Sequence, residues 1–207
     1  SSQSWNRYSY TRGNPLCAVD PTGLYEEDVH RSLTTVLALA LGFDAKAANA
    51  IAAANQGVDD NPSTSANASE AARRNHHFTS QSRRDELWAS FESSKSPGAL
   101  GGFLHAEQDS FSHAGYGTDI GHLLDGHAPD RTFNDPEKAD QMAATTYAKL
   151  VAAATIMGLD TDGRVPFSAI SELVREFNDA RSLDEKDRII RRMELLVTEA
   201  RQASQDP

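Results

Sequence analysis

After residue 24, apolar positions recur every three to four residues along most of the chain, the spacing of amphipathic helices. Val29, Leu33, Val36, Leu37, Ala40 and Leu41 make the first stripe, which ends at Gly42. Asp44 is placed to cap a small, Ala-rich helix over 45–55. Residues 61–81 are rich in Ser, Asn, Ala and Thr and read as a surface loop with one short helix. Helices follow at about 82–92, with Leu87, Trp88 and Phe91 as the apolar face, and at about 99–114. The stretch 115–136 reads as irregular. Asp135 and Pro136 then open a long helix that closes at Gly158. Two more helices, near 167–180 and 183–203, carry Leu173, Val174 and Phe177, then Ile189, Ile190, Met193, Leu196 and Val197. Few segments alternate with period two in this part, so the body is expected to be all-α.

Residues 1–24 differ. Trp5, Tyr8 and Tyr10 precede turns at Gly13-Asn14-Pro15 and Asp20-Pro21-Thr22-Gly23, a strand-like aromatic piece. The expected division is therefore 1–24 and 25–207, a single domain with a short appendage.

Charge narrows the function. Twenty Lys and Arg stand against 30 Asp and Glu, a formal net charge of −10. Tracking a polyanion through a basic groove is disfavoured, unless bound cations supply the positive charge. The single cysteine, Cys17, excludes an intramolecular disulfide framework. No apolar run reaches the roughly 18 residues of a membrane span, and no basic-then-apolar signal opens the chain.

The candidate chemistry centres on Leu104 to His113. Positions i, i+4 and i+8 share one helix face, and His105, Asp109 and His113 are spaced that way. Two imidazoles and a carboxylate on one stripe form a set of ligands for a transition metal, zinc above all. The other histidines are His30, His76, His77, His122 and His127, and none lies in the last 80 residues. The adjacent carboxylates Asp59 and Asp60, ahead of Pro62, can offer hard oxygen ligands as well as turn chemistry. Neighbouring side chains point apart, so one of His76 and His77 is expected to face a given metal. Glu107 and Asp119 are candidates to orient the histidines from behind.

Two resemblances add to this reading. Arg7-Tyr8-Ser9-Tyr10, Asn14-Pro15 and Asp20-Pro21-Thr22-Gly23-Leu24 resemble the end of the Rhs/YD-repeat core, where P-x4-D-P-x-G-L marks the boundary between a shell and a variable C-terminal toxin. That likeness implies a cleavage motif of Pro15, Asp20, Pro21, Gly23 and Leu24, with autoproteolysis after Leu24. It also implies a secreted effector without a signal peptide of its own. Such an effector is delivered to a target cell with its parent protein, and its partners are the Rhs shell and an immunity protein. Separately, the order His30, Asp59/Asp60, His76/His77, His105-x3-Asp109, His113, His122/His127 with Asp125/Asp130 resembles the zinc-dependent phospholipase C and single-strand nuclease superfamily.

This second resemblance implies an all-α bundle with two or three zinc ions. Carried over by position, Asp60 and His77 would join His105 and Asp109 at one metal, and Asp109 would bridge to a second held by His30. His113, His127 and Asp130 would hold the third. Asp60 and Asp109 would be the catalytic carboxylates. Asp28, Asp59, His76, His122 and Asp125 remain alternative ligands, and the terminal amine of Tyr25 after cleavage is another. Clustered zinc lowers the pKa of a bound water to about 7 and clamps phosphate oxygens, the needs of phosphodiester hydrolysis. The expectation is a phospholipase C toxin making peripheral contact with target-cell membranes in interbacterial competition. The alternatives are a nuclease toxin using the same metals and a non-enzymatic domain with a structural metal.

Overall fold

A computed structural model describes residues 27–112, 131–159 and 164–203, and these are all-α: no strand occurs among the described residues. The strand-like segment expected over 1–24, with its cleavage motif, lies outside them.

Eight helices follow one another among the described residues. Helix α1 is π-helical over Asp28–Leu33 and α-helical over Thr34–Ala40. Helix α2 spans Ala45–Asp60. Helix α3 begins as Glu70–Ala72 and continues as a π-helix over Arg73–His77. Helices α4 and α5 span Gln81–Ser94 and Pro97–Ser112. After a 3-10 turn at Thr132–Asn134 come α6 (Pro136–Met157), α7 (Phe167–Asp179) and α8 (Leu183–Ala203). No helix among the described residues is long and apolar enough to cross a membrane.

Local chemistry explains several boundaries. The Asp44 carboxylate accepts from Ala47 N at 2.7 Å, so α2 starts where its cap stands. Asp135 accepts from Lys138 N at 3.1 Å, with Pro136 in the first turn of α6. Gly42 and Gly158 adopt φ of 92° and 68°, the left-handed conformation that ends a helix. Helix α2 runs five residues past the expected end, because Gln56 and Val58 are buried and keep the helix packed.

Helix α5 is central: α2, α4 and α6 all pack on it, and α1 packs on α2, α6 and α8. Leu33, Val36, Leu37, Leu41 and Phe43 meet Ile51, Leu100, Phe103 and Leu104 in one core that continues through Met142 and Leu150 to Phe177 and Met193. Helices α2 and α5 approach closely at Gly101. A Cβ on Gly101 would lie 2.5 Å from Ile51 O, 2.6 Å from Ala54 Cβ and 2.8 Å from Asn55 N. Two of those three atoms are backbone, so they cannot swing away.

A matched pair of substitutions tests this contact. Gly101→Ala is expected to destabilise the fold by about 1–3 kcal/mol through overpacking. Gly102→Ala, with nothing within 4 Å of its Cβ position, is expected to be neutral or to stabilise by up to about 1 kcal/mol through helix propensity. Denaturant midpoints measure both. Equal midpoints for parent and Gly101→Ala would mean that the helices have room to separate.

Candidate metal centre

The two π-helical turns each deliver one histidine inward. In α1 the Thr34 hydroxyl donates to Val29 O, five residues back, at 3.2 Å. In α3 the wide turn closes with Phe78 N donating to Arg73 O at 2.8 Å. A π-turn inserts an extra residue into a helix and often marks a functional site. Here His30 and His77 are both fully buried, and His105 and Asp109 reach the same point from one face of α5. Asp59, in the last turn of α2, completes the group with a side chain 5 % exposed.

The contacts divide into two sets. His77 Nδ1, His105 Nε2, Asp59 Oδ1 and Asp109 Oδ2 are separated by 3.1 Å (His77–His105), 3.7 and 3.0 Å (His77 to Asp59 and Asp109), and 3.4 and 3.3 Å (His105 to Asp59 and Asp109). With metal–ligand bonds of about 2.0–2.2 Å, the edges of a tetrahedron are about 3.3–3.6 Å. The measured separations cluster about that length. On the other side, His30 Nε2 lies 3.3 Å from Asp109 Oδ1 and 3.8 Å from Asp59 Oδ2. Each carboxylate thus turns one oxygen toward His30 and the other toward His77 and His105. Neither oxygen of Asp59 accepts a hydrogen bond among the described residues, and Oδ1 of Asp109 faces His30 Nε2 at 3.3 Å. Buried carboxylate oxygens with no donor need a cation. These buried His and Asp groups can hold a metal ion.

Outer contacts aim the imidazoles. His77 Nε2 donates to Thr64 O at 3.0 Å, since a carbonyl can only accept, and this leaves Nδ1 as the nitrogen facing inward. His30 Nδ1 donates to Gln108 Oε1 at 2.9 Å. Gln108 is itself fixed: its Oε1 also accepts from Asn55 Nδ2 at 2.8 Å, and its Nε2 donates to the hydroxyls of Thr34 and Thr146 at 3.0 and 3.3 Å. An imidazole whose outer N–H is bound to a carbonyl presents its inner lone pair to a metal.

Several candidates go elsewhere. Asp60, the carboxylate that the resemblance assigned to the metals, is exposed and accepts from Gln56 Nε2 at 3.2 Å. A helix turns by about 100° per residue, so only Asp59 of the pair faces α5. His76 is half-buried and lines a surface groove of about 410 Å³ with Asn61, Thr64 and Leu87. Asp28 is buried against Lys186 and belongs to neither group of candidate ligands among the described residues. Glu107 pairs with Arg84 at 3.0 Å. His113, His122, Asp125, His127, Asp130, Asp119 and Tyr25 lie outside the described residues. The sequence reading missed Gln108, Asn55 and Thr34. The signal available was position: Asn55 is one turn before Asp59, and Gln108 precedes Asp109.

Without a cation the cluster holds protons. Burial alone would push His30 down, but the hydrogen bond to Asp109 and the charges of Asp59 and Asp109 outweigh it and hold His30 up at about 9. His77 is raised as well: burial opposes, and the Asp109 hydrogen bond and charge prevail. Burial, helped by Asp109, pushes Asp59 up to about 7 against the pull of His30 and His77. Burial takes His105 down to about 3, so it stays neutral. Asp109 is held well below the usual range, because its histidine partners, His105 first, overcome burial.

No family model, no curated protein sequence and no solved structure matches the chain.

The raised groups make metal binding pH-dependent. A metal must displace the proton on His30, so at pH 7 binding is expected to release protons. Because the His30 proton is held up to about 9, apparent affinity should rise between pH 7 and 9, by up to about tenfold per unit for each proton displaced. Calorimetric zinc titration in buffers of different ionisation enthalpy reads the proton count directly. A heat independent of buffer would contradict the assignment.

Proposed function

We propose that this chain is a zinc-dependent phosphodiesterase, and that it acts as the toxin domain of an Rhs protein with phospholipase C activity on target-cell membranes. The observation that carries the reading is the sharing of Asp59 and Asp109. Each gives one oxygen to the His30 side and one to the His77–His105 side. Two carboxylates shared in this way suit a pair of divalent ions, the arrangement with which two-metal sites clamp the attacking and leaving oxygens in phosphoester hydrolysis. Zinc would supply Lewis acidity and an activated water near neutral pH.

The residues have separate tasks. His30, with the second oxygens of both aspartates, offers three ligands, the number typical of a catalytic zinc that keeps an open position. His77, His105, Asp59 and Asp109 offer four, a closed shell. Gln108 and Thr64 hold the imidazoles in the required tautomers. Charge agrees with an anionic substrate: two ionised aspartates and two divalent ions leave the pocket positive within a chain of formal charge −10.

Lipid is preferred to nucleic acid, since the aromatic residues are not interleaved with Lys or Arg as a strand-stacking groove needs. Residues 1–24 support the Rhs assignment, and with it delivery alongside a parent shell, an immunity partner and peripheral contact with the membrane.

Three assays check the reading. Elemental analysis of the zinc-supplied protein is expected to find two or three ions per chain, and less than one would end the proposal. Phosphatidylcholine or phosphatidylethanolamine vesicles should be hydrolysed and the activity lost with chelator. Cleavage of single-stranded DNA instead would identify a nuclease, and no hydrolysis of either would leave a structural metal. Asp109→Asn should abolish turnover with helical content near native, because it replaces an oxygen ligand facing both sides; full activity would show the site to be misplaced.

A further inference from the structure

The apolar stripe of α8 runs Ile189, Ile190, Met193 and Val197, and Lys186 holds the next position of that same stripe. Packing alone would place a leucine there. Instead a lysine only 4 % exposed meets Asp28, 7 % exposed, in a direct ion pair between Lys186 Nζ and Asp28 Oδ2. The ammonium also sits 4.8 Å from the Phe177 ring centroid. The other oxygen of Asp28 accepts from Val29 N at 3.0 Å, at the mouth of the π-helical turn that carries His30.

Burying two charges costs several kcal/mol per ion, and well-packed apolar residues in their place are often neutral or stabilising. What an ion pair adds is direction. Lys186 fixes Asp28, Asp28 fixes the first amide of the wide turn, and the turn sets where His30 Nε2 points. On its other side His30 donates to Gln108.

We propose that Lys186 and Asp28 are positioning residues for the His30 half of the metal centre, set from the last helix of the chain. They touch no metal ligand atom and bind no metal themselves. The stoichiometric readout below rests on the two-metal reading given above, whereas the spectroscopic one does not.

The test replaces both charges at once, Asp28→Leu with Lys186→Met, so that no buried charge is left alone and the fold is retained. Thermal melting of the full chain is expected near or above that of the parent. Zinc titration should then show one ion bound as in the parent and the second weakened by about tenfold or more, within the 10–100-fold typical of lost outer-shell partners. In the metal-free parent the His30 Nδ1–H bonded to Gln108 is expected to exchange slowly enough to give an NMR resonance, and in the double variant that resonance should be lost or broadened. A double variant that binds two zinc ions as the parent does, with the His30 resonance unchanged, overturns the proposal and leaves the pair a purely structural contact. If the parent itself binds fewer than two ions, the two-metal reading fails, and the resonance alone decides: unchanged, it overturns the positioning role; lost, it upholds it.

Discussion

The structure depends on a buried concentration of acceptor atoms. Asp59 and Asp109 bring four carboxylate oxygens among three imidazoles, and water has little access to any of them. Such a group stays folded only with positive charge inside it, whether protons or metal ions. Every outer contact is consistent with that demand. The Thr64 carbonyl and the Gln108 amide oxygen take the outward N–H of two rings, which turns the basic nitrogens of those rings toward the carboxylates.

Helix packing sets the spacing. Asp59 rides on α2 and Asp109 on α5, so their separation is governed by how closely those helices approach. A residue without a side chain, Gly101, decides that distance two turns before Asp109. The π-turns then do what an α-helix cannot. They admit one extra residue per turn without breaking the helix, which moves His30 and His77 into register with the α5 face while the stripes on either side continue into the core.

Much of the fold was legible in the sequence, and for a simple reason. Helix caps and apolar periodicity are local, so Asp44, Asp135, Gly42 and Gly158 marked helix ends before any contact was known. His105 and Asp109 were legible as a pair because four residues on one helix share a face. The choice between Asp59 and Asp60, or between His76 and His77, was not. It turns on which side of each helix meets α5, and in α3 on a π-register with no periodic signature. The amides and hydroxyls behind the histidines were hidden for another reason: Gln108, Asn55 and Thr34 look like ordinary polar residues until their burial is known. Lys186 is hidden in the opposite way: standing among Glu185, Asp187 and Arg188, it looks solvent-facing until its burial is known.

The ligands span residues 30 to 109 and come from four separate helices, so no short piece of the chain carries a centre. An extended chain therefore presents isolated histidines and aspartates with no particular claim on a metal. Folding and the binding of any metal at this group are therefore thermodynamically linked. Stretching the polypeptide takes these five side chains apart, so whatever cation they hold is given up with the fold and must be found again where the chain next folds.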